Sequence, residues 1–407
     1  MEGSRDLIEA LGEWPGFEVT DVSRREGHPP EIWISLEPKG DGPYRCSRCG
    51  AETRRVHEKS IREVRDLPLF DARTYLKVTV YRIWCESCGG PKRMYIDWLD
   101  DRQRVTKRLA DSIISLCALL PVDHVARYYG LHWHTAKRLD KQALKRRLEP
   151  IDLSRVRVIG LDEFALHKGH RYATVVVEPA TKRVLWVGSG RSREDVRPFF
   201  ELLGDRCGQI EAAVMDMNAA YENEVRQHCP NAAIVFDLFH VVAKYSREVL
   251  DRVRVDEANR LRDDKPARRV VKSAKWLLLR NRHNVSDSDQ VRLDELLSAN
   301  QALMTAYVLR EDLKALWRLQ DPAEAEQSFS AWFSLAMESG IQAIQRFAER
   351  LKPYLHGIIA HARYPLHTGI IEGMNNRIKV IKRMAYGYRD EEYFFLKIRA
   401  AFPGIVR

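Results

Sequence analysis

The sequence predicts a multidomain α+β protein, and three observations carry that reading. At 407 residues the chain exceeds the length at which single cores usually stop growing. Its hydrophobic pattern changes from strand-like to helical, then to strands interleaved with helices, then to helices again. Four of its seven cysteines fall in two close pairs, a spacing that suits a small metal-stapled module better than a large core. The 67 basic residues against 57 acidic ones give a formal net charge of +10, which favours a polyanionic partner. No run of 18 apolar residues occurs, so no membrane span is expected. The start MEGSRDLIEALGEW lacks the basic head and apolar centre of a signal peptide. These features lead to the expectation of a soluble, cytoplasmic protein.

Residues 1–100 are expected to form a β-rich module. FEVTDV (17–22), EIWISL (31–36) and TYLKVTVYRIW (74–84) read as strands, separated by the turn-rich PKGDGPYRC. Within this module Cys46-Ser-Arg-Cys49-Gly and Cys85-Glu-Ser-Cys88-Gly are two CxxCG knuckles. A two-residue spacer lets one turn present both sulfurs of a pair, and the following Gly permits the positive φ of that turn. Four thiolates suit tetrahedral Zn²⁺ and leave no open position, so the site is expected to be structural; the alternative is four buried or free thiols. The segment between the pairs has strand character and can form a hairpin-like insert. Cys117, Cys207 and Cys229 sit in apolar or helical contexts and read as core thiols.

Residues 101–150 change to the helical period and carry 11 Lys/Arg against 5 Asp/Glu. In PVDHVARYYGLHWHTAKRLDKQALKRR, Ala126, Gly130, Leu131, Ala136 and Leu139 have the spacing of a helix-turn-helix. A small residue sits at the helix crossing, a Gly at the turn, and apolar positions seat the second helix on the first. His132, Trp133, His134, Lys137, Arg138 and Lys141 would then face DNA, with Lys145, Arg146 and Arg147 continuing towards phosphates. An ordinary basic helical hairpin is the alternative.

Residues 151–240 alternate strands with helices. VRVIGLDEFAL, RYATVVVEP, RVLWVGSG, AAVMDM and AAIVFDLF read as strands, SREDVRPFFELL and AYENEVRQH as helices. Residues 241–360 read as long polar helices containing Trp276, Trp317 and Trp332, and 361–407 close the chain. Asp162 and Asp216 end apolar strands, where α/β sheets expose their functional crevice. Two carboxylates held together repel unless a cation lies between them, which points to Mg²⁺. From pattern alone Asp237 competes for the second place, and a strand-end Asp is also a common turn former. Glu163 is expected on the face opposite Asp162. In the last stretch Glu372, Asn376, Lys379 and Arg383 share one helical face, offering an acid, then an amide and cations for a DNA backbone, while Met374, Ile378, Ile381 and Ala385 form an apolar stripe. Glu372 alone could equally be a partner for the helix dipole.

The stretches GLDEFALHKGHRYATVV, VMDMNAAYENEVRQHCPNAAIVFDLFHVV and IIEGMNNRIKVIKRMAYGYRDEEYFFLKIR resemble the ISL3 group of bacterial insertion-sequence DDE transposases. The resemblance spans nearly the whole chain. It implies a ribonuclease-H-like catalytic domain over 151–240 and 361–407, interrupted by an all-α insertion at 241–360. It puts the three catalytic acids at Asp162, Asp216 and Glu372, binding two Mg²⁺ ions, and assigns Asp237 and His240 to a separate D-x-F-H motif whose role it does not give. The implied partners are double-stranded DNA at the terminal inverted repeats and at the target. Pairing two ends implies a homodimer or larger assembly, nucleoid-associated when bound. A transposase-derived DNA-binding regulator without catalysis, or a nuclease without strand transfer, are the alternative readings.

Overall fold

In a computed structural model of the chain, residues 8, 12–148, 150–167, 169, 171–280, 284–366 and 369–405 are described. Residues 1–7 and 9–11 of the N-terminal stretch, Lys168 and His170 of the first family-like stretch, and His367 and Thr368 just before the last one lie outside the described residues. The chain divides into two compact units, residues 1–147 with 384–386, and residues 148–383 with 387–407.

The first unit is built on strands β1 (Phe17–Arg25), β2 (Glu31–Pro38), β3 (Tyr44–Arg45), β4 (Glu52–Thr53), β5 (Val56–Leu69), β6 (Ala72–Trp84) and β7 (Pro91–Arg93). The main sheet runs β1-β2-β6-β5, with β7 on β6 and the short β3–β4 ladder apart. The segment between the cysteine pairs is the β4–β5–β6 stretch, and β5–β6 is a long antiparallel hairpin from Val56↔Ile83 to Leu69↔Ala72. Ile34, Leu36, Val64, Leu76, Val78 and Ile83 are buried together in one core built on this sheet. Helices α1 (Lys107–Cys117), α2 (Val122–Tyr129) and α3 (Trp133–Leu148) follow. Thr106 caps α1 by accepting from the Leu109 N–H, and Gly130 ends α2 in the left-handed conformation at φ +60°. That positive φ is what calls for glycine at the turn, since the Arg73 guanidinium beside it is the far end of a flexible side chain that could move aside for a Cβ. Ala126, Ala136 and Leu139 are buried together, as the expected crossing requires. The strands and helices of this unit are joined through Asp66, whose fully buried carboxylate accepts from Arg108, Thr106 and Trp14.

The second unit carries β8 (Val158–His167), β9 (Arg171–Glu178), β10 (Arg183–Ser189), β11 (Ala212–Met215) and β12 (Ala233–Phe236). The sheet order is β10-β9-β8-β11-β12. The first three strands form an antiparallel meander, whereas β8, β11 and β12 run parallel. Helices α4 (Arg193–Leu203) and α5 (Ala219–His228) cover one face, with Val196, Phe199, Phe200 and Val225 against Ile159, Leu161 and Val176. From α6 (Leu238–Tyr245) through to Leu355–Arg363 the described elements are all helical, with Trp317 and Trp332 buried in a separate core and Trp276 exposed. Helix α7 (Gly369–Met384) and helix α8 (Glu391–Ala401) then cover the opposite sheet face. Ile371, Met374 and Ile378 of α7 pack with Phe164, Leu166, Val175 and Val177. Burying one such aliphatic side chain contributes about 1.5–3 kcal/mol, which fixes this amphipathic helix to the sheet.

Candidate active site

Strand alternation decides which side chains of β8 meet α7. Gly160, Asp162, Phe164 and Leu166 share the face that packs on α7, and a Cβ at Gly160 would lie 2.5 Å from the Ile371 tip. Asp162 therefore emerges beneath α7. Its Oδ2 accepts from Asn375 Nδ2 at 2.6 Å and its Oδ1 from the Glu163 N–H at 2.7 Å. Asp216 follows the last residue of β11, and Asp237 the last residue of β12, so the parallel pairing of these strands brings both acids to one sheet edge. His240, in the first turn of α6, reaches back with Nδ1 to Asp237 Oδ2 at 2.9 Å and to Asp216 Oδ1.

Asp162, Asp216 and Glu372 line one cavity of about 230 Å³ together with Glu163, Asp237, His240, Asn375 and Lys379. Three acids, the first and last more than 200 residues apart in sequence, thus line one cavity. The electrostatics fit a cation there. Burial pushes the Asp162 carboxyl up to about 7; the hydrogen bond from the Glu163 N–H opposes this and the charge of Asp216 adds to it. Burial likewise raises Asp216, opposed by the hydrogen bond and charge of His240. Burial disfavours the charged imidazole of His240, but bonds to Asp216 and Asp237 outweigh that and raise it to about 10. Ligand atoms of Asp216, Asp237 and His240 lie within 4.8 Å of one another.

Glu163 lies on the opposite face of β8, as alternation requires, where its Oε1 accepts from Arg191 Nη1 at 2.6 Å. It nevertheless borders the cavity, and its charge helps to raise Asp162, so it is not electrostatically separate from the site. On α7 the structure departs from the expected polar face in one residue. Asn375, only 7% exposed, lines the cavity with Glu372 and Lys379, whereas Asn376 is exposed and accepts from Lys379 Nζ at 3.4 Å. The reason is angular. At about 100° per residue, Asn375 falls beside the buried Ile371–Met374–Ile378 stripe and Asn376 on its far side. Arg383 is exposed, Ile381 is half-buried against the stripe, and Ala385, expected to continue the stripe, lies one residue past the end of α7 and is half-buried. Sequence reasoning missed Asn375, although its position three residues after the acid was a usable signal.

In the first unit the sulfurs of Cys46, Cys49, Cys85 and Cys88 all lie within 4.8 Å of one another, and Cys49 Sγ is 3.5 Å from Cys85 Sγ. Tetrahedral zinc at about 2.3 Å from each thiolate needs sulfurs ~3.8 Å apart, so the four fit such an ion. The hydrogen bond from the Ala51 backbone is the largest influence lowering the Cys49 thiol to about 7. Cys117, Cys207 and Cys229 are buried. At the start of α3, His132, Trp133 and His134 are exposed, with the two imidazoles stacked at 5.2 Å. Lys137 Nζ lies 5.2 Å from the Trp133 ring centroid, Arg138 Nη2 donates to Gln103 Oε1 at 2.8 Å, and Lys141 is half-buried. Among the described residues, no helix is long and apolar enough to cross a membrane.

Three family models match consecutive parts of the chain. A zinc finger of the IS204/IS1001/IS1096/IS1165 transposases matches residues 42–88, and the helix-turn-helix domain of transposase family ISL3 matches 96–144. A DDE transposase model of the ISL3 group matches 159–398. The chain is 55% identical over 404 residues to the transposase for insertion sequence element IS1001 of Bordetella parapertussis, covering 99% of each chain. It is 26% identical over 400 residues to the transposase for insertion sequence element IS1557 of Mycobacterium tuberculosis, covering 92% of this chain and 88% of that one.

Proposed function

Because the chain belongs to the ISL3 family of transposases and is an enzyme of the DDE type, we propose that it binds the terminal inverted repeats of an insertion sequence and catalyses Mg²⁺-dependent cleavage and strand transfer. The observation that carries this reading is the meeting of Asp162, Asp216 and Glu372 in one cavity. Hard carboxylate oxygens there, two of them on acids whose charged forms are disfavoured without a counter-ion, fit divalent magnesium. The three acids would hold two such ions, which when bound activate the attacking oxygen and stabilise the leaving one.

The remaining steps belong to the chain's own groups. Asn375 and the Glu163 N–H fix both oxygens of Asp162, so this carboxylate needs no reorganisation on loading. His240 holds Asp216 and Asp237 in place, and Lys379 puts a cation at the cavity for the phosphate. Water attacks a phosphodiester at the element's end and displaces the 3′-oxygen, which leaves as a hydroxyl. That 3′-hydroxyl then attacks a phosphodiester of target DNA, so one bond forms as one breaks and no covalent enzyme intermediate arises.

The sheet order, three antiparallel strands followed by two parallel ones, supports reading residues 151–240 and 361–407 as a ribonuclease-H-like domain. The helices of 241–360 read as its all-α insertion. Residues 1–100 are the zinc module, with Zn²⁺ on Cys46, Cys49, Cys85 and Cys88. Residues 101–150 are the DNA-reading helix-turn-helix, with His132, Trp133, His134, Lys137, Arg138 and Lys141 facing the duplex. Asn376, Lys379 and Arg383 extend the DNA contact from α7. Pairing two ends calls for a homodimer or larger assembly, in the cytoplasm and on the nucleoid when bound.

The test is substitution of the acids. Glu372→Gln, Asp162→Asn and Asp216→Asn should each abolish cleavage and joining while end binding and folding survive, with double variants no worse than single ones. Glu201→Gln, exposed on α4, is the control. A Glu372→Gln protein that cuts and joins at the wild-type rate would return Glu372 to a partner of the helix dipole.

A further inference from the structure

We propose that an open groove over the β5–β6 hairpin of the first unit grips the phosphate backbone of duplex DNA beside the segment read by α3. The inference rests on the DNA-binding reading above and names a second, sequence-independent contact. The groove has a volume of about 1590 Å³ and is lined by nine Lys/Arg side chains against three acids. Two of those acids are already answered, Glu58 by Arg82 at 3.2 Å and Asp101 by Arg93 at 3.9 Å. A positive excess remains. Arg62, half-buried with Nη2 donating to the Gln103 carbonyl at 2.6 Å, is held below its ordinary value first by burial and then by the charge of Arg93. Cations crowded in this way are relieved by an anion.

The form of the groove selects the anion. One small phosphate would engage two or three of these groups, whereas a cationic lining spread along an open groove suits duplex DNA, with a charge for each ~1.7 Å of its axis. No Asn or Gln, the side chains that pair with adenine edges, is among the described residues lining it. The groove is continuous with the helix-turn-helix. Gln103, between the lining residues Arg102 and Arg104, accepts from Arg138 of α3 at 2.8 Å. Arg65 of β5 donates to the Tyr129 carbonyl at the end of α2 at 2.9 Å. A duplex seated on α3 would therefore run onto a surface whose register to that helix is fixed by hydrogen bonds.

Arg48, Arg102 and Arg104 line the groove and are exposed, so their truncation to Ala removes charge without opening the core. The experiment uses the full-length, zinc-loaded protein with two duplexes of equal length, one an inverted-repeat end and one unrelated, titrated from low to high salt. The triple variant Arg48→Ala/Arg102→Ala/Arg104→Ala should bind both duplexes more weakly by a similar factor, with the salt slope reduced by about 2.7, three contacts at ~0.9 each. The triple Lys variant should keep the wild-type slope. Unchanged affinity and slope in the Ala variant, or a loss confined to the end sequence, would overturn the groove. A wild-type protein that binds neither duplex would overturn the DNA-binding reading beneath it. Zinc content and melting midpoint, expected to be unchanged, separate loss of contact from loss of fold.

Discussion

Between Asp216 and Asp237 a single imidazole edge serves two carboxylates, and the proton on His240 Nδ1 becomes part of what holds that corner together. Its raised value, about 10 against the ordinary 6.5, fixes the sign of the linkage. The contribution is fully present below pH 6.5 and is lost as pH rises through about 10. Metal-free wild type should therefore lose more stability between pH 7 and 10 than His240→Gln, read as the urea midpoint at stepped pH; parallel curves would refute the assignment. Asp162 titrates lower, because burial moves it from 3.8 to about 7. Its protonated form favours the fold, so that share fades as pH rises from about 4 through 7. Asn375 offers a separate test. A group that orients a ligand typically changes metal affinity by about 10–100-fold when removed. Asn375→Ala should weaken Mn²⁺ binding by that factor in calorimetry, and an unchanged affinity would reduce Asn375 to packing.

Helix α7 delivers both Glu372 and Asn375, so its seat on the sheet sets the geometry of the cavity. Gly160 is the contact that lets it sit low, since any Cβ there meets Ile371 at 2.5 Å and Val177 at 3.1 Å. Gly160→Ala should cost about 1–2 kcal/mol in urea unfolding and lower cleavage more than that loss of stability explains. Adding Ile371→Val, which removes the colliding methyl, should restore both. Much of this element level was legible in advance. The apolar runs that became β8, β11 and β12, and the stripe Met374–Ile378–Ile381, follow from period alone, as does the placement of Asp216 just past a strand end; Asp162, expected at a strand end too, lies mid-strand, because β8 runs on to His167 in its pairing with β9 after its pairing with β11 stops at Leu161. Two further features did not follow. The choice of Asn375 over Asn376 depends on the rotation of α7 about its axis, set by Ile371 packing on a distant strand. The approach of His240 to Asp216 depends on β12 pairing with β11 in parallel, which no local pattern encodes.

At the scale of the molecule, zinc and magnesium would serve different units and different purposes. Structural zinc supplies folding free energy directly, and the four-cysteine cluster lies wholly in the first unit. The purified protein should contain one Zn²⁺ per chain, and strong chelation should speed amide exchange across residues 42–94 while the β8–β12 sheet keeps its protection. A metal-free protein that is folded and indifferent to chelator would exclude this. On the proposed function catalytic competence would be distributed differently along the chain, because the cavity takes Asp162 and Asp216 from one stretch and Glu372 from α7, with a long helical run between them. Synthesis meets these parts in a fixed order, and domains generally fold as they emerge. While residues 148–368 are being made, the growing chain already has residues 1–147 of its first unit and lacks Glu372. On the proposed function it would occupy an element's end without cutting it, and a product terminated in that interval would compete with the complete protein for ends and act as its inhibitor.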